Sequence, residues 1–235
     1  MIASPITSIS SIQKIAIIDD DKSEAEMAGW EVKEAGFEPL IINGQFLQLE
    51  DLSQVIHAEA QAALCDHRLG YFGFANFPGA KLVAHLYDLN IPAILITQYA
   101  DIDKGVSIRN WRDKIPVLLS RDEADASTIM RGLEDCLNEL HGQIPNTRKP
   151  YRVLLSVKEV GTESNLSVID VIIPSWNPLR AVRFPASLIP PNLQKCIKPG
   201  ARFIAQVNIG AEKSDDLYFK GFELAEGPGD DDGLA

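Results

Sequence analysis

From Lys14 to Leu140, short β-branched apolar runs alternate with stretches in which apolar residues recur every three or four positions. The runs Lys14 to Ile18, Glu38 to Ile42, Ala62 to Cys65, Ala93 to Thr97 and Ile115 to Leu119 predict strands. Between the first two, Ala25, Ala28, Val32 and Ala35 share one helical stripe, and Gly36 stands where a left-handed C-cap is wanted. Leu49, Leu52 and Ile56 predict a second helix. Leu82, Val83, Leu86 and Leu89 predict a third, stopped by Asn90 and Pro92, and Ile129, Leu133, Cys136 and Leu140 predict a long final one. A further helix, with the weakest periodicity, falls between Asp101 and Asp113. Strict alternation of this kind over residues 12–142 dictates a doubly wound parallel sheet, whose ligands bind beyond the carboxyl ends of the strands where the strand order reverses.

The pattern changes after His141. Residues 143–150 are polar with two prolines and read as a linker. Beyond it, Arg152 to Glu159 and Leu166 to Ile173 flank a turn-forming stretch and predict a hairpin. Arg180 to Phe184, Arg202 to Ile209 and Asp216 to Leu224 predict further strands, with one short helix within Pro190 to Lys198. A small all-β domain over 151–226, a barrel or sandwich, follows from these. Residues 227–235, with Asp230, Asp231 and Asp232, predict a disordered acidic tail.

Composition narrows the partners. Thirty-three acidic against 22 basic residues give a net charge of −11 in 235 residues, which repels polyanions. No helical period between Tyr151 and Leu224 is long enough for a helix-turn-helix, so DNA is a disfavoured partner. Arg180, Arg183, Lys195, Lys198 and Arg202 bias the β domain locally, as a solvated face does. No basic residue precedes Lys14 and no apolar run approaches the ~18 residues of a membrane span, so a cytoplasmic location is expected. Cys65, Cys136 and Cys196 are widely spaced and read as reduced, packed thiols.

The chemistry lies at strand ends. Asp19, Asp20 and Asp21 follow the first strand, Asp66 closes the third and Thr97 closes the fourth. Carboxylates brought together in this way repel one another unless a cation neutralises them, and oxygen ligands alone suit Mg²⁺. At these residues the chain resembles the receiver domains of two-component response regulators, which implies a flavodoxin-like or CheY-like sheet of order 2-1-3-4-5. The resemblance makes Asp66 the phospho-acceptor and Thr97 the switch hydroxyl. It assigns Mg²⁺ to Asp19, Asp20, Asp66 and the backbone carbonyl of Arg68. It implies a sensor histidine kinase or related ATPase as partner, with Asp66 attacking a phosphohistidine, and no further enzymatic activity.

The chain departs from that family after the fifth strand, where Ser120 and Arg121 stand in place of an invariant lysine. Serine carries no charge, and strand alternation turns Arg121 to the other face if it is one residue out of step. The loop after Asp66 is long and holds four aromatic residues between Tyr71 and Phe77, suited to partner contact if exposed. Strand alternation places His67 away from Asp66, as a solvated loop residue. These features leave a phosphorylation-independent adaptor as one alternative. A second is a haloacid-dehalogenase-like phosphatase using Asp19 as nucleophile and Asp21 as acid. The β domain reads as an interaction module for an unidentified protein partner. Trp176 is expected in an exposed turn or across the mouth of a barrel. Homodimerisation through the receiver-like domain is also compatible with the sequence.

Overall fold

The computed structural model describes residues 8–98, 106–163 and 165–225, which fall into two compact units. The predicted acidic tail and part of the predicted helix between Asp101 and Asp113 lie outside these residues.

The first unit is built on β1 (Lys14–Ile18), β2 (Glu38–Ile41), β3 (Ala62–Asp66), β4 (Ala93–Thr97) and β5 (Val117–Ser120). These form one parallel sheet in the order β2-β1-β3-β4-β5, the flavodoxin-like order. Its helices are α1 (Lys22–Glu34), α2 (Leu49–Glu59), α3 (Gly79–Asp88) and α4 (Ala126–Leu140). Every residue of β3 and β4 is buried, as a sheet covered on both faces requires. Ile15, Ile17, Leu64, Ile94 and Ile96 pack on one face against Ala25 and Val32 of α1 and Ile129, Leu133 and Cys136 of α4. The alternate residues Ile18, Cys65 and Leu95 are equally buried on the other.

Local chemistry sets the helix ends. Asp21 caps α1 by accepting from the amides of Ser23 and Glu24. At its far end Gly36 takes φ +89, and the amides of Gly36 and Phe37 return to the carbonyls of Lys33 and Val32, which is a Schellman closure. Asn90, at φ 58, ends α3 in the same way, with the Ile91 amide on Leu86. Pro39 is tolerated in β2 because that strand lies at the sheet edge.

The second unit takes in residues 106–113 together with the chain from Pro145. The expected helix between β4 and β5 is, in its described part, a 3₁₀ turn, Arg109–Lys114. Arg109 and Arg112 on it are buried, and so is Arg148 of the predicted linker. Strands β6 (Tyr151–Glu163), β7 (Leu166–Ile173), β8 (Asn177–Pro185), β9 (Arg202–Val207) and β10 (Phe219–Leu224) form one antiparallel sheet in the order β10-β9-β6-β7-β8. Its core is centred on Leu155, Ile169, Phe184, Phe203 and Phe219. Closure into a barrel is not how this sheet manages its edges. Edge strand β8 carries Pro178 and Pro185, and edge strand β10 breaks register between Lys220 and Glu223, and both devices discourage edge pairing. Trp176 is half-buried rather than exposed, its indole N–H donating to the Ala211 carbonyl at 2.7 Å.

Leu133 is fully buried where α4 meets the sheet. Leu133→Ala should cost about 2–5 kcal/mol in equilibrium chemical denaturation, and a loss below about 1 kcal/mol would show that this face is not the core.

Candidate functional site

Strand order creates the site. From β1 the chain crosses over to β2 on one side, and from β3 it crosses to β4 on the other, so no helix covers the crevice beyond the ends of β1 and β3. Ile18 registers with Cys65, Asp66 with Ile96, and Thr97 with Ser120. Asp19, Asp66, Thr97 and Ser120 therefore stand at one sheet edge. Gly79, the first residue of α3, lies so close to this edge that a Cβ there would fall 1.8 Å from the Asp66 carbonyl oxygen.

Each carboxylate is held. Asp19 Oδ1 accepts from the Asp21 amide at 3.0 Å, and Asp20 Oδ2 accepts from the Phe72 amide at 2.8 Å. Asp66 Oδ2 accepts from the Arg68 amide at 2.6 Å. Carboxylate oxygens of Asp19, Asp20 and Asp66 lie within 4.8 Å of one another. That oxygen-only set fits a small divalent cation such as Mg²⁺.

The sequence placed Arg121 in doubt, and the structure brings it into the pocket. Its Nη2 donates to Asp19 Oδ2 at 2.9 Å and to Asp66 Oδ1 at 2.5 Å, and its Nη1 donates to Glu24 Oε2 at 3.0 Å. Alternation along β5 does not apply, because the strand ends at Ser120 and the chain turns into the 3₁₀ segment Arg121–Glu123. Ser120 itself does not line the pocket; Glu123 Oε2 accepts from its amide. The cleft has a volume of about 330 Å³, and its lining includes Asp19, Asp20, Asp66, Arg68, Thr97 and Arg121. Thr97 is buried there.

Two further expectations change. His67 is buried, not solvated, with its amide on the Ile96 carbonyl and its own carbonyl accepting from Gly79. Of the four loop aromatics, Phe74 and Phe77 are buried, Phe74 against Phe46 with ring centroids 5.3 Å apart. Tyr71 and Phe72 are exposed at the pocket mouth, 86% and 65% accessible, in an edge-on pair.

The first unit is a doubly wound α/β domain with the strand order β2-β1-β3-β4-β5. Among solved structures, the chain is similar to a sensor protein from a Polaromonas species at 16% identity, over 55% of this chain and 98% of that one, with a TM-score of 0.43. It is similar to a response regulator receiver domain protein from Clostridium thermocellum at 13% identity, over 56% and 99% of the two chains, with a TM-score of 0.42. It is also similar to the N-terminal domain of a response regulator/sensory box/GGDEF protein from Carboxydothermus hydrogenoformans, at 15% identity over 57% and 100%, with a TM-score of 0.43. No family model matches the sequence, and no curated protein matches it. No helix among the described residues is long and apolar enough to cross a membrane.

Electrostatics in the pocket follow from burial. Burial and the adjoining Asp19 carboxylate push Asp66 up from 3.8 to about 6, against the downward pull of Arg121 and the Arg68 amide. Burial also raises Asp19, opposed by the Asp21 amide and Arg121. Burial acts to lower Arg121, yet the carboxylates of Asp19 and Asp66 hold it above its ordinary value. The folded state thus holds the Asp66 proton more tightly than the unfolded chain does. Its contribution to stability is complete below the unfolded value of 3.8 and disappears as pH rises through about 6. In chelator-containing buffer, Asp66→Asn should gain stability relative to wild type across that window, by on the order of 3 kcal/mol. Calorimetric melting from acid to neutral pH checks this, and a difference that does not vary with pH would contradict the raised value.

Proposed function

We propose that this is a response-regulator-like signalling protein whose Asp66 accepts a phosphoryl group, with Arg121 standing in for the family's lysine. The observation that supports this is the guanidinium bridge from the end of β5 to both Asp19 and Asp66. It supplies the positive charge that the sequence alone left missing. In this reading Asp19, Asp20, Asp66 and the Arg68 carbonyl hold Mg²⁺, which supplies charge neutralisation for the phosphoryl oxygens when bound. A carboxylate oxygen of Asp66 attacks the phosphorus of a kinase phosphohistidine. The P–N bond breaks, the imidazole leaves, and an aspartyl phosphate forms. Thr97 offers the hydroxyl that reads the new group, and Arg121 turns from carboxylate to phosphoryl oxygen. The second unit acts as the output module toward a protein partner, in a cytoplasmic protein that does no other chemistry.

A second reading has its own observation. Arg121 bridges Asp19 and Asp66 from within the chain, a fixed link that suits a phosphorylation-independent adaptor. The phosphohydrolase alternative gains no support from an Asp21 whose Oδ1 is engaged in capping α1.

Incubation with Mg²⁺ and acetyl phosphate, followed by intact-mass measurement, separates these readings. The proposal predicts a gain of one phosphoryl group in wild type that is absent in Asp66→Asn. No gain in wild type, together with a melting temperature that still rises with Mg²⁺, would favour the adaptor, and a gain that survives in Asp66→Asn would remove Asp66 from the role.

A further inference from the structure

Of the three pocket carboxylates, one lies outside the reach of Arg121. The guanidinium donates to Asp19, Asp66 and Glu24. The Asp20 side chain instead has a single hydrogen bond among the described residues, from the Phe72 amide at 2.8 Å. That donor carries no charge. It fixes the direction of the Asp20 carboxylate and leaves its negative charge to a cation. An ion entering the pocket therefore meets in Asp20 the one carboxylate it need not take from Arg121.

A built loop carries that contact to a residue 52 positions away in sequence. Its base is closed where the Ala75 amide donates to the carbonyl of fully buried Leu69 at 2.9 Å. Its far side is tied to the stretch after β2, with Phe74 packed on Phe46 and the Phe46 amide donating to the Phe74 carbonyl at 2.7 Å. Between these fixed points the chain turns back on itself from Gly70 to Gly73, with the Gly73 amide on the Gly70 carbonyl at 3.3 Å and Gly73 at φ +77. A loop whose ends are tied together and packed by its own side chains holds its tip in one place. The ring of Phe72 adds little to this, since it is exposed; the backbone N–H is the part that touches the site.

We propose that Phe72 is a positioning residue of the cation site, its backbone N–H holding Asp20 in the orientation in which the carboxylate takes up Mg²⁺. This rests on Asp19, Asp20 and Asp66 being the residues that hold the ion. Hydrogen bonds to metal-binding carboxylates orient them, and losing one typically costs about 10–100-fold in affinity. Mg²⁺ demands near-ideal placement of its ligands, whereas Ca²⁺ accepts irregular sets, so loss of positioning falls on Mg²⁺ more than on Ca²⁺. Side chain and backbone of Phe72 are then separable by mutation.

Isothermal titration calorimetry of Mg²⁺ and of Ca²⁺ into the full chain tests this with Phe72→Ala, Phe72→Pro and Gly73→Val. Phe72→Ala keeps the N–H and should bind both ions as wild type does. Phe72→Pro lacks the N–H and should weaken Mg²⁺ by about tenfold or more, and Ca²⁺ by less. At Gly73 an added Cβ meets nothing within 4 Å, but the positive φ strains any other residue. Gly73→Val should therefore shift the turn and weaken Mg²⁺ in the same direction, and it decides the matter if circular dichroism shows that Phe72→Pro has not folded. Unchanged Mg²⁺ affinity in the folded turn variants, equal losses for Mg²⁺ and Ca²⁺, or a loss in Phe72→Ala as large as in Phe72→Pro would overturn the positioning role. A wild type that binds Mg²⁺ no better than Phe72→Pro does refutes this role alone, whereas a wild type that binds no Mg²⁺ at all removes the cation site and this role with it.

Discussion

The structure around the crevice depends on keeping carboxylates together at the ends of two adjacent strands. Two like charges about 4 Å apart repel by roughly 4 kcal/mol at an effective dielectric constant of 20, a large share of the stability of an ordinary domain. Arg121 supplies the compensation from within the chain. A single guanidinium group reaches Asp19, Asp66 and Glu24, with Asp19 and Asp66 almost wholly shielded from water. An exposed ion pair contributes little, but here removal of the cation would strand two buried acids. The Phe72 amide on Asp20 and the Arg68 amide on Asp66 add donors to the same carboxylates.

Much of the first unit was legible because burial on both faces of a parallel sheet leaves continuous apolar runs, and because helix ends have chemical signatures. Gly36 and Asn90 both stop helices by adopting positive φ. The crowding of Asp19, Asp20 and Asp66 was legible for a related reason: topology sends the ends of neighbouring strands to one edge. Arg121 was not. Its place depends on the turn at Arg121–Glu123, which takes the chain out of strand alternation directly after Ser120, a boundary that apolar content does not mark. His67 misled because a histidine beside a loop looks solvated, whereas the His67 carbonyl receives the amide that begins α3.

The second unit was harder to read. The chain between β4 and β5 looked like a poor helix because its described part is a 3₁₀ turn held by buried arginines rather than by an apolar stripe. Its identity lies in Arg109 and Arg112, whose partners Ser214, Asp216 and Leu217 are about a hundred residues distant in sequence. Arg148, in a stretch that reads as a linker, joins the same cluster, with the Tyr218 hydroxyl donating to its carbonyl at 2.6 Å. Contacts between residues so far apart leave no periodic trace. Residues 106–113 of the weak helix and the polar stretch from Pro145 belong to the same unit as the β sheet.

The account turns on Arg121 competing for the same carboxylate oxygens that a divalent cation would take. Isothermal titration calorimetry of Mg²⁺ into wild-type protein and Arg121→Ala measures that competition directly. Removing a unit positive charge from this half-buried site should tighten Mg²⁺ binding by about tenfold or more, since 1.4 kcal/mol is tenfold. Equal affinity in the two proteins, or weaker binding in Arg121→Ala, would contradict the account.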